Sequence, residues 1–205
     1  NVAGIATLSG SVRADGGNRD GNCTGAGGSI WLTAADLAGA GSVAAEGGTA
    51  FARGGGGGRI SVVLTNPAAT FAGFVGTFSA SGRGTDAGGA GTVYRQAGNQ
   101  ARGAGDLIFD NRGLTGNGMS FLTPHLFTNS NDVRYARVVV TGSTTRVQLF
   151  GETTVGDIYV YTGATLNLTN HNLFVRRGRH DLGGGTVQSA GGQIIWQQAS
   201  LFMIH

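Results

Sequence analysis

The chain contains no lysine: all 14 of its basic residues are arginine. That excludes chemistry built on a lysine, such as Schiff bases, Walker A phosphate binding and Lys–Asn isopeptide cross-links. Cys23 is the only cysteine. One thiol cannot form an internal disulfide, a CxxC pair, a zinc site or a CxxCH haem attachment. Charged residues amount to 12%, about half the usual share. Only two residues are proline, which excludes collagen despite the glycine content. No apolar run approaches 18 residues, so no transmembrane helix is expected. The N-terminal NVAGIATLSG has neither the charged nor the apolar region of a signal peptide, and no initiator Met. The chain therefore reads as a processed piece, or the ordered part, of something longer.

The net charge of +3 is small and spread out. The first hundred residues hold 6 Arg against 5 acids and the rest 8 against 6. No block of like charge stands out as a nucleic-acid footprint, so no nucleic-acid partner is expected.

What is abundant is glycine, at 40 of 205 residues. Hydrophobic residues still make up 40%, enough to bury a core. The glycines fall in repeats. One unit is a glycine-rich corner opening an apolar strand: GGSIWLT (27–33), GGRISVVLT (57–65) and GAGTVYRQ (89–96). Ile30, Ile60 and Val93 thus recur at spacings of 30 and 33. A second unit alternates with it: LSGSVRADGG (8–17), GAGSVAAEGG (39–48) and GFVGTFSASG (73–82).

Three segments follow: glycine-rich coils over 1–97, a linking, irregular stretch over 98–132, and β-branched coils with an apolar C-terminal strand over 133–205. In the last, VVVTGSTTRVQL and YVYTGATLNL superpose with a shift of 21, and GTVQSAGGQIIW (185–196) reads as a further copy. Val147-Gln148-Leu149 and Leu166-Asn167-Leu168 alternate with the period of a strand. The Ala-rich Leu32–Ala45 is not taken as a helix, because Gly39 and Gly41 interrupt it inside a repeat. Short strands, frequent turns and a period of 20–33 residues predict an all-β solenoid, with a β-sandwich as the alternative.

The segments GAGGSIWLTAADLAGAGSVAAEGG, GGGGGRISVVLTN and GATLNLTNHNLFV resemble the Gly-rich repeats of large bacterial extracellular proteins of the autotransporter-passenger kind. The resemblance covers about residues 4–97 and 136–196. It implies a right-handed parallel β-helix at the cell surface or outside the cell, and it brings no catalytic motif with it.

Catalytic signals are sparse, and no enzyme activity is expected. His125, His171, His180 and His205 lie in no nucleophile motif. Asp106 and Asp110 share a strand face roughly 13 Å apart, too far for a glycosidase pair, and no acidic cluster is evident beside an arginine. Calcium is the one cofactor the residues suggest: Asp15, Asn18, Asp20 and Asn22 in DGGNRDGN concentrate oxygen ligands, although Asx-turns at coil corners explain them more simply. Trp31, Tyr94, Tyr159 and Tyr161 could stack on sugars or pack under loops.

A solenoid exposes strand edges at both ends unless capped. The ends here are apolar: Val2, Ile5 and Leu8 at one, and Ile194, Ile195, Trp196, Leu201, Phe202 and Ile204 at the other. The expected function is structural, a β-solenoid subunit or segment of an extracellular fibre or matrix. It joins head-to-tail to copies of itself or continues into a longer parent chain. An adhesin-type module binding glycans or surfaces is the runner-up, and a β-helix carbohydrate-active enzyme the third reading.

Overall fold

The computed structural model describes residues 1–19, 23–50, 53–84, 86–114, 122–125, 133–178 and 180–197. The chain is all-β. Its longest sheet has eight strands in the order β1 (Val2–Leu8), β3 (Ser29–Gly39), β5 (Arg59–Leu64), β7 (Thr92–Gln96), β8 (Asp106–Asp110), β10 (Arg137–Thr141), β13 (Asp157–Val160) and β16 (His180–Asp181). A three-stranded sheet joins β2 (Ser11–Arg13), β4 (Ser42–Ala44) and β6 (Thr77–Ser79). A four-stranded sheet runs β17 (Thr186–Gln188), β14 (Thr165–Asn167), β11 (Arg146–Leu149) and β9 (Leu122–His125). The last sheet joins β12 (Thr153–Val155), β15 (Leu173–Val175) and β18 (Ile194–Trp196). Up to β7 the chain alternates between two sheets; beyond β9 it visits three in turn.

Sheet neighbours are one repeat apart and almost all parallel, unlike the antiparallel pairing of a β-sandwich. Ile30 pairs with Ile60 and Ile60 with Val93, as the repeats predict. Val12, Val43 and Phe78 form the matching row in the second sheet. Gly39 does not break a helix; it ends the eleven-residue strand β3. The expected shift of 21 in the second half is corrected by the register. Val140 pairs with Val160, a shift of 20, and Val147 with Leu166, a shift of 19. The corner before β14 is one residue shorter than the corner before β11, so aligning the two Thr-Gly pairs misplaces the strands. With a period of two, one residue decides which face is buried. The stretch read as a link is corrected too: β8 lies within it, hydrogen-bonded on both edges.

Among the described residues, the pairing of β7 with β8 is the one antiparallel contact between strands. Val93 lies opposite Ile108, and both pack on a core of Leu37, Ile60, Val62 and Leu64. Tyr94 lies opposite Leu107, and both pack on a second core of Phe109, Val138, Val140 and Ile158. Directly opposed residues share a face, while Val93 and Tyr94, as chain neighbours, point to opposite faces. The two halves therefore bury opposite faces of one continuous sheet.

Glycine serves the halves differently. In the first half, two walls of backbone meet directly. Gly58 donates between them to Ala45 O (2.7 Å) and Gly91 to Ala80 O (2.7 Å). Gly27 and Gly57 donate along the stack to Gly56 O (2.9 Å) and Gly89 O (3.0 Å). A side chain would part these walls. In the second half glycine turns corners with positive φ, as at Gly142 (86°) and Gly163 (81°).

Candidate functional site

Each half presents its unburied sheet face to solvent, and the two faces differ in chemistry. On the first half, β3, β5 and β7 put Trp31, Ser61 and Tyr94 in one row and Thr33, Val63 and Gln96 in the next. With Tyr135 they line a groove of about 820 Å³. Trp31 is 81% exposed. Tyr94 is anchored: its hydroxyl donates to Gln96 Oε1 (2.7 Å) and accepts from the Gly105 amide (3.2 Å). Burial raises its pKa, only partly offset by the Gly105 hydrogen bond. Of the four aromatics singled out from sequence, Trp31 and Tyr94 come together here. Tyr159 and Tyr161 pair with each other elsewhere, ring centres 6.3 Å apart.

On the opposite face, the second half carries a ladder of alternating charge. Register aligns Asp106 of β8, Arg137 of β10 and Asp157 of β13. Arg137 grips Asp106 with two hydrogen bonds, 2.9 and 2.7 Å. This hydrogen bond outweighs burial and holds the guanidinium pKa above its ordinary value. Arg95 reaches the same carboxylate at 3.5 Å. Asp157 accepts from Arg177 Nε at 3.0 Å, and Arg177 also holds Tyr135 O at 2.7 Å. Single aspartates, rather than an acidic cluster, thus stack beside arginines. The partners lie 31 and 20 residues apart in sequence and meet only through the register. Arg176, Arg177, His180 and Trp196 join the ladder around a cleft of about 1320 Å³. The run Arg176-Arg177-Gly178-Arg179-His180 is the local signal that could have marked it.

The calcium candidates resolve differently. Asp15 pairs with Arg13 and accepts the Glu46 amide (2.8 Å), and Asn18 accepts the Thr49 amide (2.8 Å). Both acceptors are 31 residues from their donors, so these side chains tie one repeat to the next. Asp20 and Asn22 lie outside the described residues. Among the described residues no three His, Cys, Asp or Glu side chains gather as a metal site.

Among the described residues the most enclosed charge is Glu46, 4% exposed. It accepts from Ser79, Ser81 and Arg83, with Arg13 and Arg112 at 3.6 and 3.7 Å. Burial pushes its pKa up, but the Ser79 and Arg83 hydrogen bonds and the Arg83 and Arg13 charges outweigh it, leaving the carboxyl below its ordinary value.

Of the apolar end residues, Val2 and Ile5 are exposed on β1, Leu8 is half-buried, and Ile194, Ile195 and Trp196 form β18 at the far edge. Leu201, Phe202 and Ile204 lie outside the described residues. No helix among the described residues is long and apolar enough to cross a membrane. Compared with known proteins, the chain matches no family model, no curated protein and no solved structure.

Proposed function

We propose that the chain is a structural segment of an extracellular fibre or matrix protein, wound as a right-handed parallel β-helix and extended through its terminal strands. The observation that carries the reading is the in-register stacking of repeats, in which even the polar side chains Asp15, Asn18 and Asp106 bind the neighbouring repeat. Parallel strands joined by crossovers are right-handed in about 98% of cases, which supports the hand. On this reading the chain catalyses no reaction. Asp106 and Asp157, the two carboxylates of the ladder, are each bound by an arginine.

The reversal at β7–β8 constrains how copies join. β1 and β16 run in opposite directions within one sheet, so a head-to-tail neighbour meets β16 with an antiparallel strand. Sedimentation and negative-stain microscopy test the reading. The chain is expected to form concentration-dependent oligomers and filaments, and Ile5→Asp, at a position 63% exposed, to suppress them without unfolding. A monomer at high concentration, with no filaments in the native material, overturns it.

A second reading is favoured by the Trp31 groove: a module that binds glycans. A large indole left 81% exposed beside an anchored tyrosine is a platform for the apolar face of a sugar. Trp31→Ala is expected to abolish glycan binding while changing stability by less than about 0.5 kcal/mol, as for other surface residues. A glycan array and a thermal melt check both, and binding unchanged by the substitution sinks this reading.

A further inference from the structure

We propose that the charged cleft flanked by Arg137 and Trp196 is a binding site for an acidic saccharide, with the sugar against Trp196 and its anionic group on Arg176. Its lining shares no residue with the Trp31 groove, although Tyr135 of that groove lies under Arg176, and it needs no part of the fibre reading.

The charges of the cleft do not cancel. Asp106 is held by Arg137 and Asp157 by Arg177, whereas Arg176 has no carboxylate partner among the described residues. Its guanidinium lies 5.1 Å from the centre of the Tyr135 ring, which fixes its position and leaves its N–H groups for a ligand. Guanidinium donors of this kind recognise carboxylate and sulfate oxygens. His180 stacks on Trp196 at 4.3 Å and donates through Nδ1 to Gly178 O (3.1 Å). That leaves Nε2 and a partly exposed indole as one wall of the cleft.

The floor supplies a second, independent sign of a ligand. Asp157 is 5% exposed, and its Oδ1 has no hydrogen-bond partner. A buried acceptor without a donor is costly. A saccharide is rich in hydroxyl donors of the kind this unmet acceptor lacks. Anion, hydroxyl and apolar ring face together are the chemistry of an acidic sugar.

The test is calorimetry on the full chain with 1,4-linked hexuronate oligomers, sulfated oligosaccharides, a neutral oligosaccharide and single-stranded DNA. A Trp31→Phe background makes indole fluorescence report on Trp196 alone. One or both acidic saccharides are expected to bind and quench Trp196. Which of them binds separates carboxylate from sulfate recognition. Arg176→Ala, at an exposed position, is expected to weaken binding at least tenfold, and Arg176→Lys to restore part of it. The proposal is overturned if neither acidic probe binds at millimolar concentration, if the neutral sugar or DNA quenches Trp196 as strongly, or if Arg176→Ala has no effect. Trp31→Ala abolishes binding at the other groove only, so the two sites fail separately.

Discussion

Gly57→Ala is expected to unfold the first half of the chain while leaving the second folded. A Cβ at this position would sit 2.6 Å from the Gly91 amide nitrogen and overlap the Ala80 carbonyl. Both neighbours are backbone, so no side chain can swing away. To admit the methyl group the walls must part, and the Gly91-to-Ala80 hydrogen bond goes with them. Overpacking costs about 1–3 kcal/mol or more, and each buried backbone group left unpaired about 1–3 kcal/mol. The sum, on the order of 4 kcal/mol, is most of what a marginally stable domain has. The separate core of the second half confines the damage. Hydrogen exchange should show lost protection in Ile60–Leu64 and Thr92–Gln96 and retained protection in Val138–Val140. Gly4→Ala, where a Cβ meets nothing within 4 Å, is the control. Unchanged exchange in β5 refutes the account of the glycine walls.

Glu46→Gln is expected to cost about 2–3 kcal/mol. The substitution keeps the shape but turns one acceptor oxygen into a donor facing Arg83. Removing one partner of a buried ion pair costs about 3–5 kcal/mol; the value here is lower because the arginines are half exposed and can turn to water. For a domain of this size, the melting temperature should fall by about 4–12 °C. Acid should reveal the same interaction. Because the folded-state pKa lies below the ordinary 4.5, the carboxylate's contribution is complete above pH 4.5. It is lost as pH falls through the folded-state value. The variant should lack that component of acid sensitivity. A melt within about 0.5 kcal/mol of the parent refutes the assignment.

Much of the fold was legible because glycine pairs and β-branched strands recur at fixed spacing. The rows Ile30–Ile60–Val93 and Ser11–Ser42–Thr77 follow from spacing alone. The reversal at β7–β8 was not legible, since DLIFD alternates equally well read in either direction. The 19- and 20-residue shifts were missed because Thr-Gly recurs in two corners of unequal length. The charged cleft was hidden for a related reason. Asp106, Arg137 and Asp157 are ordinary residues in sequence, and only a register known to the residue stacks them. That Asp15 and Asn18 accept backbone amides of the next repeat was not legible, since composition does not show what an oxygen accepts from.

The backbone-to-backbone contact of the glycine walls also bears on heat capacity. Exposing apolar surface on unfolding raises the heat capacity, and exposing polar surface lowers it. Where Gly27, Gly57, Gly58 and Gly91 meet across and along the coils, unfolding uncovers mainly peptide groups. The first half therefore carries a smaller heat-capacity increment than its buried area suggests, and its stability curve is flatter. Its cohesion therefore rests more on peptide hydrogen bonds, and less on the apolar driving force that weakens on cooling, than its buried area alone suggests.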